Sequence, residues 1–367
     1  MAFPERFSNL PEYAFPRLRG LLDHHQPGGD QIVMTIGEPR HPMPDFVADV
    51  LNASIGGFAR YPANRLMALN GTREGLFNAA IALSPETKNG KKPVILTPNP
   101  FYQVYAIGAL VAGAEPHFSP ATAATGQLPD YRALPADLLD RVTVAYVCSP
   151  ANPQGAVASA EYWADLLDLA EKHDFRIFAD ECYAEIYRDT PPSGVLEVAA
   201  RVGADPERVL SFHSLSKRSN LPGLRSGFVA GGVQSIRAIR QLRAYAGAPL
   251  PEPLQAVASA VWNDEAHVEA SRALYRRKYA VADAVFSGLN AFAPPEAGFF
   301  LWLPVADGEA AALKLWRETG VRVLPGAYLS RDVNGENPGA GYIRVALVAP
   351  EDETRRGLTL LRDCLYA

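Results

Sequence analysis

Val209-Leu210-Ser211-Phe212-His213-Ser214-Leu215-Ser216-Lys217 passes from a short apolar run straight into small polar residues and a lysine, with Arg225 eight positions on. The run predicts a strand over 209–212, and the lysine stands just past its end. A lysine held there forms a Schiff base if burial or nearby cations lower its pKa, and Arg218 and Arg225 supply cations. The plainer alternative is a solvated loop lysine. Ser-x-x-Lys also fits penicillin-binding enzymes, but the Ser-Asp-Asn and Lys-Thr-Gly motifs that accompany it there do not occur in this sequence.

Outward from this stretch, the same unit recurs. Val94-Ile95-Leu96 leads through Thr97-Pro98-Asn99-Pro100 into a helical stretch over 101–113. Residues 142–147 form a second apolar run, ending in Cys148-Ser149-Pro150. A helix is predicted over 159–173, with Tyr162, Trp163, Leu166, Leu167 and Ala170 on one face. Residues 176–179 end at Asp180-Glu181, and 227–230 give a further strand. Continuous apolar runs mark strands buried on both faces, so the expectation is an α/β fold: a mostly parallel sheet sandwiched by helices. Ligands of such sheets bind beyond the C-terminal strand ends. The last third reads as a smaller α+β domain: a long helix over 264–289, a strand at 298–303, a helix near 309–319, strands near 321–324 and 342–348, and a helix after Pro350. The Pro-rich 248–253 is a candidate hinge. The expected division is a large domain over 31–250 and a small one from 1–30 with 251–367.

Composition excludes several classes. At 48% hydrophobic and 20% charged residues the chain is not disordered. Its 31 Pro and 29 Gly exclude a coiled coil. A net charge of −5 gives no sign of a nucleic-acid or anionic-membrane partner. Cys148, Cys182 and Cys364 are too few and scattered for a disulfide scaffold or a cysteine zinc site, so reduced thiols in a cytoplasm are expected, and no metal. No signal peptide or membrane span is expected, because the longest weakly polar run, 106–114, falls far short of the ~20 residues a span needs.

Four more strand-end or helix-start signals matter. Asp180, with Tyr183 three residues on, offers a carboxylate to a protonated pyridine nitrogen, or simply caps a helix. Ser149-Pro150-Ala151-Asn152-Pro153-Gln154-Gly155 is a rigid turn whose Asn152 can donate to a ligand oxygen. Asn70-Gly71-Thr72-Arg73-Glu74 heads a helix and presents N–H groups to an anion, or again caps it. Arg344, within the apolar Tyr342-Ile343-Arg344-Val345-Ala346, needs an anionic partner, protein or ligand.

In this order, from Ile36-Gly37-Glu38-Pro39 to Arg344, the motifs resemble the class I/II aminotransferases, fold type I pyridoxal-phosphate enzymes. The resemblance implies that Lys217 carries pyridoxal 5'-phosphate and shuttles the substrate proton. It implies that Asp180 holds the ring nitrogen protonated, and that Asn152 and Tyr183 bond the cofactor's phenolic oxygen. Tyr102 would stack on the ring. Gly71, Thr72 and Arg73, through backbone N–H groups, would cup the phosphate together with Ser214 and Arg225. Arg344 would hold the substrate α-carboxylate, and Gly37 would lie in the segment over it. Tyr61 would reach the phosphate of a neighbouring subunit, so a homodimer is implied. The implied partners are amino-acid and 2-oxo-acid substrates, glutamate and 2-oxoglutarate among them.

The N-terminal Asn9-Leu10-Pro11-Glu12-Tyr13-Ala14-Phe15-Pro16-Arg17-Leu18, with Pro98–Gln103 and Leu324–Leu329, resembles the succinyldiaminopimelate aminotransferase subgroup. Arg40, His41 and Arg65 are then candidates for a distal carboxylate. The rivals are a general aspartate, alanine or aromatic aminotransferase, a C–S β-lyase on the same fold, and a pyridoxal-phosphate-binding regulatory module. The last is disfavoured because no residues before Asn9 house a DNA-binding domain. Between Tyr61-Pro62 and the phosphate cup the family pattern implies about 20–25 residues including a helix. Here only Ala63–Leu69 intervene, so either that helix is lost or a segment of the natural chain is missing from this sequence.

Overall fold

Apolar runs bounded by Pro, Asn and Gly form the central strands of the main sheet, whereas its edge strand Glu115–Pro120 is more polar and only partly buried. The computed structural model describes residues 10, 12–59, 67–247, 249–289 and 292–367, so the expectations for Tyr61 and Arg65 lie outside the described residues. In chain order the strands are β1 (Ile32–Val33), β2 (Ala68–Leu69), β3 (Val94–Asn99), β4 (Glu115–Pro120), β5 (Val142–Cys148), β6 (Arg176–Asp180), β7 (Val209–Ser214), β8 (Gly227–Gly231), β9 (Phe300–Pro304), β10 (Val321–Arg322), β11 (Leu324–Pro325) and β12 (Tyr342–Ala346). A seven-stranded sheet has the order β2-β8-β7-β6-β5-β3-β4. From β4 to β7 all neighbours are parallel, whereas β8 runs antiparallel to β7 and to β2. The reversal has a simple cause. Only a helical turn, Leu215–Arg218, and a 3-10 turn, Pro222–Leu224, join β7 to β8. Neither turn is a helix long enough to run back along a sheet face, as the crossover of a parallel pair usually does, and the chain returns beside itself.

Strand parity sorts the side chains between the two faces. On β5 and β6, Ala145, Val147, Ile177 and Ala179 meet Trp163, Leu166 and Ala170 of the helix Ala160–His173. Val144, Tyr146 and Phe178 face the other way, onto the helices Thr72–Leu83 and Gln103–Val111. Asp180 lies two residues beyond Phe178 and therefore points to that second face, while Glu181 points to the first. The expected helix at 159–173 begins one residue later, because the Ser159 hydroxyl caps it by accepting from the Tyr162 N–H at 3.1 Å.

The last third forms the antiparallel sheet β11-β12-β9, covered by the helices Ala266–Val285, Gly308–Thr319 and Glu351–Tyr366. The expected αβαββα order is present, with the strand expected near 321–324 split into β10 and β11. Early residues join this part of the chain. β1 pairs in parallel with β10, and Leu18 and Leu22 of the helix Ala14–Leu22 pack on Trp316, Leu324 and Tyr328. The Pro-rich 248–253 leads into the helix Glu252–Trp262, with proline in its first turn where no N–H is required. Among the described residues, no helix is long and apolar enough to cross a membrane.

Candidate active site

Parallel strands put their C-terminal ends at one edge, and a cavity of about 320 Å3 opens there. Gly37, Thr72, Arg73, Tyr102, Asn152, Asp180, Tyr183, Ser214, Lys217, Arg225 and Arg344 all line it. They come from the ends of β5, β6 and β7, the starts of two helices, the segment after β1, the approach to β8, and β12.

Lys217 lies on the single turn after β7. Its Nζ donates to the Gly37 carbonyl and sits 5.4 Å from the centre of the Phe299 ring. Burial pushes its ammonium down to about 8, and the Arg344 and Arg225 guanidiniums push the same way, against Cys182 and Glu38. Arg218, expected to act on Lys217 as well, does not line the cavity. It is buried beside Glu265, with Nη1 donating to the Val261 carbonyl at 3.0 Å and its guanidinium 5.0 Å over the Trp262 ring.

Asp180 ends β6, 5% exposed. It accepts from the Tyr105 hydroxyl at 2.7 Å and from the Cys182 N–H at 3.4 Å. Burial raises its carboxyl above the ordinary range, while the bonds from Cys182 and Tyr105 pull it back. The Tyr105 ring stacks on Tyr146 at 4.4 Å, so the ring is held by Tyr146 and the hydroxyl by Asp180. The sequence reading missed this tyrosine. Its only signal is its place one helical turn beyond Tyr102, on the face that meets the sheet.

Arg344 shares the cavity wall with Asn152 and Tyr183. Its strand neighbours Ile343 and Val345 enter the core, which turns Arg344 to the opposite side, 4.2 Å over the Phe300 ring. Nη1 donates to Asn152 Oδ1 at 2.9 Å and Nη2 to the Thr35 carbonyl at 2.8 Å, while the buried Nε has no partner among the described residues. Burial lowers its pKa to about 10, so the guanidinium stays charged at neutral pH. With its oxygen engaged by Arg344, the Asn152 amide keeps its N–H donors for another acceptor. The Tyr183 ring meets Phe299 and Phe300 edge-on at 5.3 and 5.8 Å, and burial pushes its hydroxyl pKa well up.

The opposite end of the cavity is built for an anion. The helix Thr72–Leu83 starts there with no side-chain cap among the described residues, and the N–H groups of a first turn have no partner within their own helix. Gly71 has φ 81°, and a Cβ at that position would collide with the Arg225 guanidinium. Glycine is thus required both for the backbone and for the arginine. Arg225 itself takes φ 55° and is aimed by bonds from Nη1 to the Pro222 carbonyl at 2.9 Å and from Nη2 to the Asn70 carbonyl at 3.3 Å. Ser214 caps the Lys217 turn by accepting from the Ser216 N–H at 3.1 Å. The Arg73 side chain turns away to donate to the Tyr102 hydroxyl at 2.6 Å, leaving its backbone N–H at the helix start. Burial lifts the Tyr102 hydroxyl to about 12.

Arg40 and His41 do not line this cavity. Arg40 pairs with Glu353 at 3.0 Å, and His41 Nε2 lies 3.0 Å from Lys278 Nζ. The charged lining residues beyond those above include Glu38, beside Tyr13, Phe15 and Ile36.

An electrophilic ring carrying a phosphate fits this donor set. The orphaned Arg344 Nε, the buried Asp180 and the Gly71 cradle suit a carboxylate, a ring cation and a phosphate respectively. The family described as aminotransferase class I and II matches residues 31–359. The LL-diaminopimelate aminotransferase of Desulforudis audaxviator is 32% identical over 406 residues, covering 100% of this chain and 99% of the relative. An aminotransferase from Neisseria meningitidis Z2491 superposes with a TM-score of 0.92 at 35% identity, covering 98% of this chain and 99% of that one. An aminotransferase from Helicobacter pylori 26695 gives 0.88 at 32% identity, with 99% of each chain covered.

Proposed function

Since the chain belongs to the class I and II aminotransferases, which depend on pyridoxal phosphate and act on amino acids and 2-oxo acids, we propose that it transfers an amino group between an amino acid of the diaminopimelate skeleton and 2-oxoglutarate. The amino acid is N-succinyl-LL-2,6-diaminopimelate or its free LL form. The subgroup motifs at the N-terminus support the first, and the names of the relatives in Desulforudis audaxviator and Dehalococcoides mccartyi support the second. The observation that carries the site reading is a single cavity in which Lys217, its pKa depressed, lies among buried Asp180, Arg344 and Asn152.

Bound pyridoxal phosphate acidifies the substrate Cα–H bond by drawing electron density into its ring. In this reading, Gly71, Thr72, Arg73, Ser214 and Arg225 hold the phosphate. The Asp180 carboxylate keeps a proton on the ring nitrogen, and the Tyr105 hydroxyl orients that carboxylate. Asn152 and Tyr183 bond the phenolic oxygen, and Tyr102 covers the ring face. Arg344 and the Gly37 segment bind the α-carboxylate, which turns the Cα–H toward Lys217. The depressed pKa makes the Lys217 amine a base near neutral pH, able to take the Cα proton and return it one position away. Both half-reactions use one site, so the kinetics are ping-pong. The same reading makes 31–250 the cofactor-binding unit and 1–30 with 251–367 the smaller one, in a cytoplasmic homodimer.

The test is an amino-donor panel with 2-oxoglutarate, following glutamate and including both diaminopimelate forms. Turnover confined to aspartate, alanine or aromatic donors refutes the substrate reading. Pyruvate from cysteine conjugates without an acceptor identifies a β-lyase. Borohydride reduction should fix the cofactor on Lys217, and Lys217→Ala should abolish transfer. Label on another lysine overturns the site.

A further inference from the structure

The residues that follow Lys217 do not merely close a loop. The turn Leu215–Arg218 is one helical turn, which cannot hold its own geometry. Each of the three residues after Lys217 is tied to the segment 261–271, around the start of the helix Ala266–Val285. Arg218 reaches the Val261 carbonyl and Glu265. The Ser219 hydroxyl lies 2.8 Å from His267 Nε2. Asn220 Nδ2 lies 3.5 Å from the Ser271 hydroxyl.

The middle tie is a chain of three groups. His267 Nδ1 bonds Asp264 Oδ2, which also accepts from the His267 N–H at 3.0 Å. With the carboxylate at Nδ1, that nitrogen carries the ring proton, and Nε2 is left to accept from Ser219. The order Asp–His–Ser is that of a nucleophilic triad. Ser219, however, has 0% exposure and does not line the cavity at the strand ends, so no substrate reaches it. What the chain can do is orient. Ser219 is two residues from Lys217, and its N–H closes the turn on the Leu215 carbonyl at 3.1 Å.

We propose that Asp264, His267 and Ser219 form a hydrogen-bonded strut that positions Lys217, fixing its Nζ relative to Asp180 and Arg344 from the start of the helix Ala266–Val285. These are positioning residues, since none of them lines the cavity. The inference rests on Lys217 being the cofactor lysine. A displaced Nζ changes both the protonation of its linkage to the cofactor and the proton transfer at Cα, with little effect on ground-state substrate binding.

The experiment uses holoenzyme and follows the pH midpoint of the visible absorption band of the lysine–cofactor linkage. Ser219→Ala, His267→Leu and Asp264→Ala are each expected to shift the midpoint by about 0.5–1 pH unit, the scale of one hydrogen bond. The kcat should fall roughly tenfold while KM for the donor stays within about twofold. Because the strut acts as a unit, Ser219→Ala/His267→Leu should shift the midpoint no further than either single change. An unmoved midpoint in the folded single variants, or additive shifts in the double, overturns the proposal. Asp264 is 34% exposed in its side chain, so Asp264→Ala carries the test if His267→Leu fails to fold. Lys217→Ala separates the two readings. If it keeps the band, the lysine assignment is wrong; if it loses the band, an unmoved midpoint condemns the strut alone.

Discussion

Replacing Arg344 by lysine keeps a positive charge in the cavity wall and removes the planar fork. The native guanidinium spends one nitrogen on Asn152 at 2.9 Å and one on the Thr35 carbonyl at 2.8 Å, and its Nε is buried without a partner among the described residues. An arriving carboxylate therefore meets a rigid donor already fixed by two neighbours. An ammonium on a flexible stem reaches the carboxylate by one bond instead of two. Hydrogen bonds to charged groups are worth ~1.5–3 kcal/mol each, so the expected loss is one such bond, or ~10–150-fold in kcat/KM. Lost support for Asn152 would also slow the reaction, so the decisive quantity is a ratio. Arg344→Lys and Arg344→Gln are compared with the parent on an amino acid and on the amine lacking its α-carboxylate. The amino acid should lose its advantage over the amine, stepwise through lysine to glutamine. A preference that survives in Arg344→Gln refutes the reasoning, because then another group reads the α-carboxylate.

Tyr105→Phe removes the 2.7 Å bond that helps hold the Asp180 carboxyl down, so the acid limb of the kcat/KM profile should move to higher pH; an unmoved limb separates Tyr105 from the ring. Gly71→Ala forces a side chain into the Arg225 guanidinium at φ 81°, a strain of ~1–3 kcal/mol, and should weaken pyridoxal-phosphate affinity by roughly 5–150-fold in equilibrium dialysis, whereas unchanged affinity removes Gly71 from the phosphate cup. Lys278 is buried against His41 and the Leu347 carbonyl, with Arg277, Glu351 and Arg40 acting on it, and burial lowers it to about 7. Unfolding returns it to the ordinary lysine range, so between pH 7 and about 10 the unfolded chain binds the extra proton and stability rises with pH, by at most about 1.4 kcal/mol per unit. Lys278→Met should flatten that rise in urea midpoints taken at pH 7 and 9, and a parallel rise in both proteins would show that other groups cause it.

Asp180, Lys217 and Arg344 were legible in the sequence for one physical reason. Each is a charged group at the end of, or inside, an otherwise apolar strand, and such a position needs a partner. Tyr105 was not legible, because an aromatic on the buried face of a helix reads as core, and its acid is 75 residues away. Only docking of the helix Gln103–Val111 onto the sheet brings the two together. Of the three prolines that make 248–253 a candidate hinge, Pro251 caps the helix Glu252–Trp262 and Pro253 lies in its first turn, where a proline costs no helical hydrogen bond. Arg218 shows the limit most clearly. As the neighbour of Lys217 in sequence it suggests a cation acting on the lysine. On a helical turn, however, consecutive side chains point about 100° apart. Turning Lys217 into the cavity therefore turns Arg218 out of it, toward Glu265 and Val261. The cations that do depress the lysine, Arg344 and Arg225, are far from it in the chain or across the β7–β8 reversal, and only the antiparallel return of β8 brings Arg225 back to the strand end where Lys217 stands.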